Sequence, residues 1–156
     1  MTVRLSEFFE QDLFIPELKS TDKAGALKEL VDALVENNRI QRGDMLLDML
    51  QQREKLGSTG IGRGVAVPHG RTLAIKRLTV VFARSSKGVD FESMDGKAVD
   101  LLFLTVAPPQ DRSNLYLPVL GKIVEMVKSA KTRKRLMQSA GFDEVTEILE
   151  EADHGA

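Results

Sequence analysis

The chain has 156 residues, a net charge of −1, two histidines (His69 and His154) and no cysteine. The missing cysteines exclude a disulfide framework, a thiolate nucleophile, a cysteine-bound zinc ion and an iron–sulfur cluster, and two histidines are too few for a histidine-rich metal centre. The near-neutral charge argues against broad nucleic-acid binding.

Neither an export signal nor a membrane span is predicted. The first ten residues carry two acidic side chains and lack the apolar core of a signal peptide. The longest apolar runs, such as residues 101–107, are much shorter than the roughly 20 residues that a spanning helix needs. We therefore expect a cytoplasmic protein that is not inserted in a membrane.

Two amphipathic helices are predicted near the start of the chain. The first covers residues 22–37, where apolar side chains recur at helical spacing after the candidate N-caps Ser20, Thr21 and Asp22. The second covers residues 44–55. Its predicted apolar side consists of Met45, Leu46, Met49, Leu50 and Leu56.

Two apolar runs, residues 78–84 and 99–106, predict strands covered on both faces. Three further helices follow, over residues 113–128, 132–139 and 143–151, with Gly141 as a break before the last one. Pro118 indicates that the first of these is kinked at its entry or begins later than residue 113.

This order of elements predicts one three-layer α/β domain over residues 1–150, with a central mixed β-sheet and helices on both faces. Residues 151–156, which include His154, are expected to form a fraying tail.

A glycine-rich segment stands out between the second helix and the first predicted strand. Residues 57–71 read Gly-Ser-Thr-Gly-Ile-Gly-Arg-Gly-Val-Ala-Val-Pro-His-Gly-Arg and hold five of the 12 glycines. The glycine spacing differs from the dinucleotide fingerprint, and no Gly-Lys-Ser/Thr of a phosphate loop follows. Taken alone, these glycines favour a structural role.

His69 gives this segment a candidate function. It lies between Pro68, which fixes its own φ angle, and Gly70, which lets the chain turn away, so the imidazole is expected at the end of a short strand. An imidazole in its neutral form is a nucleophile. A hydrolase triad is disfavoured because no Gly-x-Ser-x-Gly elbow occurs, whereas a nucleophilic histidine needs only an exposed nitrogen and nearby anion-binding groups.

Arg53, Ser58 and Thr59 are candidates for binding that anion. Arg53 continues the spacing of Met45 and Met49 along the second helix, directly before the glycine segment. A guanidinium there either extends along the surface or matches phosphate oxygens. The hydroxyl groups of Ser58 and Thr59 and the N–H groups of the loop would complete such a site.

The motifs Arg53-Glu54, residues 58–62 (Ser-Thr-Gly-Ile-Gly) and residues 65–70 (Val-Ala-Val-Pro-His-Gly) together resemble the fructose/mannitol-type EIIA domains of the bacterial phosphoenolpyruvate-dependent phosphotransferase system. The resemblance covers essentially the whole chain and is greatest for the nitrogen-regulatory branch, EIIA-Ntr. It implies a phosphocarrier in which His69 accepts a phosphoryl group, usually on Nε2, from an HPr-like phosphocarrier. It further implies that Arg53 holds the phosphate and that the step needs no metal, nucleotide or other cofactor.

One position departs from the family pattern. Relatives usually carry a second histidine before the helix that follows the second strand, and Asn114 occupies the best-matching position here. Asparagine can donate and accept hydrogen bonds but cannot become cationic. Arg63 is expected to add a compensating cation beside the site, and Gly70 is expected to bind the phosphate together with Ser58 and Thr59.

Three functions remain open on these grounds. The first is a regulatory phosphocarrier with a transient phosphohistidine, acting on partners such as sensor kinases or potassium transporters. The second is a degenerate binding module that has lost phosphorylation, which Asn114 favours and the intact Pro68-His69-Gly70 disfavours. The third is a sugar-specific transport component.

Overall fold

The structure is a computed structural model and describes residues 3–155. A short 3-10 helix, Leu5–Glu7, precedes six strands and five α-helices. In chain order these are β1 (Phe9–Ile15), α1 (Lys23–Glu36), α2 (Asp44–Lys55), β2 (Gly60–Gly62), β3 (Val65–Ala66), β4 (His69–Arg71), β5 (Thr79–Val89), β6 (Val99–Ala107), α3 (Tyr116–Met126), α4 (Ala130–Gln138) and α5 (Phe142–His154). No helix in residues 3–155 has the length and apolar character needed to cross a membrane.

The six strands form one mixed sheet. Its strand order is β1-β5-β6-β3-β2, and β4 pairs with β6 further along the edge that β3 uses. Strands β5 and β6 are antiparallel to each other, while β1 is parallel to β5 and both β3 and β4 are parallel to β6. The prediction of a mixed central sheet is confirmed.

Helices cover both faces of this sheet, as the three-layer prediction requires. Side chains of α1 and α2 pack on one face with Leu102 of β6, while side chains of α3 and α5 pack on the other face with Phe103. Because consecutive residues of β6 are buried on opposite faces, the strand has the continuous apolar sequence that identified it.

The exposed side of α2 differs from the prediction. Leu46 and Leu50 are buried, but Met45 and Leu56 are 81% and 85% exposed. The buried face continues instead to Glu54, one turn after Leu50, where a carboxylate is 8% exposed. Apolar spacing alone could not identify this face because its last member is charged.

Pro118 predicted that α3 is kinked at its entry or begins after residue 113, and the second alternative is correct. The helix begins at Tyr116 rather than at the predicted residue 113. Pro118 is therefore in the first turn, where a missing backbone N–H removes no hydrogen bond from the helix.

The C-terminal segment is not the expected fraying tail, because α5 continues through His154 and Asp153 is buried. The Asp153 carboxylate accepts hydrogen bonds from the backbone N–H groups of Leu5 and Ser6 at 2.6 and 3.2 Å and from the Ser6 hydroxyl at 2.8 Å. The ammonium group of Lys122 lies 3.4 Å away. These contacts join the last helix to the first residues of the fold.

Replacing Asp153 by asparagine tests the contribution of this contact. Burial by itself raises the pKa of Asp153, but hydrogen bonds from Ser6 and Leu5 and the nearby Lys122 outweigh it, so the pKa lies below its ordinary value. The stabilisation is therefore complete above the ordinary carboxyl pKa of about 4 and is lost as the pH falls through the lower folded value. We expect Asp153→Asn to reduce the free energy of unfolding by about 2 kcal/mol at pH 7.

Urea unfolding of both proteins between pH 7 and pH 2 measures this difference, which should shrink below about pH 4. Asp48→Asn, at an exposed position of α2, is the control and should leave stability nearly unchanged. An equally stable Asp153→Asn protein at pH 7 would contradict the assigned role.

Candidate functional site

The backbone around His69 is an edge segment of the sheet that Pro68 interrupts. Val65 of β3 lies opposite Leu101 of β6, and His69 of β4 lies opposite Thr105. Pro68 has no N–H to donate, and its carbonyl oxygen accepts from the Thr105 N–H at 3.1 Å. His69 thus begins a second short strand, instead of ending the first as the sequence indicated.

One hydrogen bond defines the tautomer of the His69 ring. Its Nδ1 atom lies 2.8 Å from the carbonyl oxygen of Val67. Because a carbonyl oxygen only accepts hydrogen bonds, Nδ1 must carry the proton. In the neutral imidazole, Nε2 then has a free electron pair and is the nucleophilic atom.

Two neighbours of His69 were not identified from the sequence. Arg71 follows two residues later in β4 and therefore lies on the same face. The Tyr116 ring lies with its centroid 6.3 Å from that of His69, and the Arg71 guanidinium lies 4.5 Å from the Tyr116 centroid. The alternation of a strand after Pro68 could have indicated Arg71, whereas Tyr116 joins the site only through the packing of α3.

Burial raises the pKa of Tyr116, while the Arg71 guanidinium acts in the opposite direction. The net increase keeps the phenol protonated at neutral pH, so Tyr116 can donate a hydrogen bond to an anion. Arg71 uses one N–H for the Pro109 carbonyl oxygen, at 3.2 Å, and is otherwise exposed. A cation and a protonated phenol thus lie on the same side of β4 as His69.

Gly70 and Arg53 belong to the opposite face of the sheet. A Cβ atom at Gly70 would lie 2.4 Å from the Met49 Cε atom, so the missing side chain lets α2 pack against β4. Arg53 is one helical turn beyond Met49, exposed, and donates to the Gly57 carbonyl oxygen at 2.9 Å. Its guanidinium therefore lies at the start of the glycine segment.

The hydroxyl groups of Ser58 and Thr59 are not directed to an anion. Ser58 donates to the Phe91 carbonyl oxygen at 2.9 Å. Thr59 is 3% exposed and donates to the Glu54 carboxylate at 2.5 Å. Each hydroxyl has a single proton to donate, so in this structure both protons are used within the protein, and phosphate binding by these side chains stays a prediction. The Thr59 hydroxyl is directed to the buried Glu54 carboxylate, which accepts its hydrogen bond, and Glu54 was not assigned a role from the sequence.

Arg63 does not lie beside His69 either. The strand after Arg63 begins opposite Leu101, whereas His69 lies opposite Thr105. Four residues of β6 separate these positions, which is about 13 Å of extended chain. The Arg63 side chain donates instead to the carbonyl oxygen of Lys128, two residues after the end of α3. The predicted compensating cation is therefore absent from the site, and Arg71 is the cation found on the His69 face.

Asn114 has a backbone explanation. Its φ angle is +56°, in the left-handed region that asparagine adopts more readily than most residues. It is exposed and lies two residues before Tyr116. The turn before α3 is therefore a sufficient reason for asparagine at this position.

The arrangement suits a reaction between a neutral imidazole and an anionic electrophile. Nε2 supplies the electron pair, and Arg71, Tyr116 and the amino end of α3 supply positive potential on the same face. Among residues 3–155, no group of three His, Asp or Glu side chains is placed to hold a metal ion.

The sequence of residues 7–152 matches the family model described as phosphoenolpyruvate-dependent sugar phosphotransferase system, EIIA 2. The chain belongs to this EIIA family. The match covers the glycine segment, His69 and all five α-helices apart from the last two residues of α5. The resemblance inferred from the motifs is confirmed.

Relatives of this EIIA domain include regulatory and transport proteins. A nitrogen regulatory protein of Bradyrhizobium diazoefficiens is 34% identical over 145 residues, which cover 93% of this chain and 94% of the relative. A fructose-specific EIIA component of Haloferax volcanii is 34% identical over 129 residues, 83% of each chain. The crystal structure of nitrogen regulatory protein IIA-Ntr from Neisseria meningitidis superposes with a TM-score of 0.84 at 31% identity, covering 93% of this chain and 98% of that one.

Proposed function

We propose that this EIIA domain is a cytoplasmic phosphocarrier and regulatory protein that accepts a phosphoryl group on Nε2 of His69 from an HPr-like phosphocarrier. The hydrogen bond from Nδ1 to the Val67 carbonyl oxygen is the observation that carries the proposal. It leaves Nε2 with a free electron pair at the open edge of the sheet, where a second protein can present its phosphohistidine.

The transfer exchanges one P–N bond for another. The Nε2 electron pair attacks the phosphorus of the donor phosphohistidine, and the electron pair of the breaking P–N bond returns to the donor imidazole. Positive charge passes from the donor ring to the His69 ring, whose proton stays on Nδ1 and remains hydrogen-bonded to the Val67 carbonyl oxygen. No general base is required, so catalysis consists of alignment and charge stabilisation.

Charged groups around His69 would stabilise the transferring phosphoryl group. Arg71 and the Tyr116 phenol share the face of His69, and Arg53 lies one helical turn beyond Met49, which packs against Gly70 of β4. The amino end of α3 adds a favourable dipole for an anion. A guanidinium that contacts phosphate oxygens contributes about 1.5–3 kcal/mol as a charge-assisted hydrogen bond.

The surface around the site favours a protein partner. Met45, Leu73 and Leu117 are 81%, 91% and 67% exposed, and they lie on α2, after β4 and at the start of α3. A cavity of about 540 Å³ lies between Met45 and Leu73. Exposed apolar groups around a reactive residue are typical of docking surfaces.

Phosphorylation would also supply the regulatory signal. A phosphoryl group adds a charge of about −1.5 to −2 beside Arg71 and Arg53. Leu73 follows β4 and Leu117 follows Tyr116, so a partner that contacts these exposed side chains together with the phosphoryl group would distinguish the two states. The match to nitrogen regulatory proteins supports this role, and sensor kinases and potassium transporters are the partners we propose.

Incubation with phosphoenolpyruvate, Enzyme I and an HPr-type carrier tests the proposed function. We expect about one acid-labile, alkali-stable phosphoryl group per chain, and none when any of the three components is omitted. A properly folded protein that takes up no phosphate would contradict the proposal and favour a binding module.

Arg53→Ala separates phosphate binding from packing. We expect phosphorylation to slow by roughly tenfold to a hundredfold, because one charge-assisted contact is lost. The free energy of unfolding should change by less than about 0.5 kcal/mol, since the side chain is exposed and makes one hydrogen bond. Rapid-quench labelling and urea unfolding measure the two quantities.

Arg135→Ala, which removes a guanidinium paired with Glu151 away from His69, is the matched control for Arg53→Ala. It should leave the labelling rate unchanged. A large loss of stability with an unchanged rate in Arg53→Ala would show that Arg53 acts through packing.

A sugar-transport role is the second candidate, because the fructose-specific relative is as similar in identity as the nitrogen regulatory one. The two roles differ in the next acceptor. Rapid transfer from phosphorylated protein to the cysteine of an isolated fructose-type EIIB domain would favour transport. Its absence, with normal phosphorylation by HPr, would favour regulation.

A further inference from the structure

Glu54 is a buried carboxylate at the end of α2 whose two oxygens both have partners. Its neighbours Arg53 and Lys55 are exposed. Oε1 accepts from the Thr59 backbone N–H at 3.1 Å, and Oε2 accepts from the Thr59 hydroxyl at 2.5 Å. The Lys23 ammonium lies 3.2 Å from Oε1 and balances the charge. Thr59 is therefore held at two points by one side chain.

Thr59 in turn contacts the residue that binds the catalytic imidazole. The Thr59 carbonyl oxygen accepts from the Val67 N–H at 2.9 Å. The Val67 carbonyl oxygen accepts from Nδ1 of His69 at 2.8 Å. A continuous set of contacts thus runs from Glu54 through Thr59 and Val67 to the imidazole.

The position of the Val67 carbonyl oxygen determines which ring nitrogen of His69 carries the proton. Pro68 cannot contribute an N–H to hold this segment, and its backbone contact with β6 is made by its carbonyl oxygen, which accepts from the Thr105 N–H. The contact from Thr59 is consequently the hydrogen bond that fixes Val67 from the side of the glycine segment.

We propose that Glu54 and Thr59 are positioning residues that hold the Val67 carbonyl oxygen against Nδ1, so that Nε2 of His69 stays unprotonated and ready to react. Lys23 supports them by balancing the buried carboxylate. The expected effect on the phosphorylation rate rests on the proposed function. The effect on the imidazole can be measured without any phosphate donor.

The ring nitrogens of His69 report this role directly. With ¹⁵N-labelled histidine, long-range ¹H–¹⁵N spectra of the wild-type protein above pH 8 should show a protonated Nδ1 and an unprotonated Nε2. In Thr59→Val the two shifts should move towards each other, because loss of the hydroxyl frees the loop and the tautomers mix. The exposed His154 is the internal reference and should not change.

Phosphorylation rates complete the test. We expect Thr59→Val and Glu54→Gln to slow labelling by HPr about tenfold, and Thr59→Ser, which keeps the hydroxyl, to restore both rate and tautomer. Thr146→Val removes a hydroxyl that donates to Phe142 within α5 and is the matched control. It should resemble the wild type.

The outcomes separate this inference from the proposed function. An unchanged tautomer and rate in folded Thr59→Val would overturn the positioning role. A dominant Nε2–H tautomer in the wild-type protein would overturn it whatever the variants do. If the tautomer changes as expected but the wild-type protein accepts no phosphate, the positioning role stands and the proposed function fails.

Discussion

Replacing His69 by glutamine is expected to abolish phosphoryl acceptance. Glutamine keeps a polar side chain of similar length, but it has no electron pair on a nitrogen that can attack phosphorus. His154 is the other histidine of the chain, and it lies at the end of α5, away from β4. We expect the labelling rate to fall by more than about a thousandfold, because the covalent route is removed.

His154→Gln is the matched control for this experiment, since it removes the other imidazole from an exposed position. Its labelling should stay within a factor of about two of the wild-type rate. Labelling that persists in His69→Gln, or is lost in His154→Gln, would show that the acceptor is wrongly assigned.

Replacing Arg84 by methionine is expected to have the largest effect on stability. Arg84 is 9% exposed, and its guanidinium donates to the carbonyl oxygens of Pro16, Leu136 and Ser139 at 2.8–3.1 Å. It also lies 5.0 Å from the ring centroid of Phe14. One side chain therefore joins the end of α4 to the segment after β1.

Methionine fills the space of the alkyl stem but leaves these buried carbonyl oxygens without a donor. Burial lowers the pKa of Arg84, opposed by Glu17, yet the ordinary value is so high that the guanidinium stays charged. We expect a loss of about 3 kcal/mol in the free energy of unfolding. This corresponds to a decrease in Tm of roughly 6–12 °C for a domain of this size.

Urea and thermal unfolding measure this loss, with Arg42→Met as the control because Arg42 is exposed and forms an ion pair with the exposed Asp44. The control should lie within about 0.5 kcal/mol of the wild type. An Arg84→Met protein of wild-type stability would mean that water replaces the guanidinium at these carbonyl groups.

The helices and long strands were predictable because burial imposes a period on their sequences. Strands β5 and β6 have continuous apolar runs because both faces are covered, and α1 begins after Asp22, whose side chain accepts from the Gly25 N–H. Gly141 separates α4 from α5 as expected. Local sequence was sufficient to predict an element wherever its local preference agreed with the tertiary packing.

The short strands were not predictable in the same way. Strand β1 carries charged residues between its buried positions Phe9 and Leu13. Strands β2 and β3 have three and two residues, too few to establish a period of two. Strand β3 forms because β6 offers an edge with which it can pair, and β2 then pairs with β3. The contact between β3 and β6 is long-range, so no local window of the sequence contains it.

The residues of the candidate site likewise differ in whether local sequence or long-range contacts determine their positions. His69 was predictable from its local frame of proline and glycine. The contacts of Thr59 and Arg63 were not predictable because they depend on distant partners, Glu54 for the first and Lys128 for the second. Arg71 and Tyr116 meet His69 only after α3 has packed on the sheet.

The most direct test of the account identifies the atom that carries the phosphoryl group. Protein with ¹⁵N-labelled histidine, phosphorylated by phosphoenolpyruvate, Enzyme I and HPr, can be examined for ³¹P–¹⁵N coupling. We predict one phosphorus atom bonded to Nε2 of His69, with the proton still on Nδ1. Phosphorus on Nδ1 of His69, on His154, or on no histidine at all would contradict it.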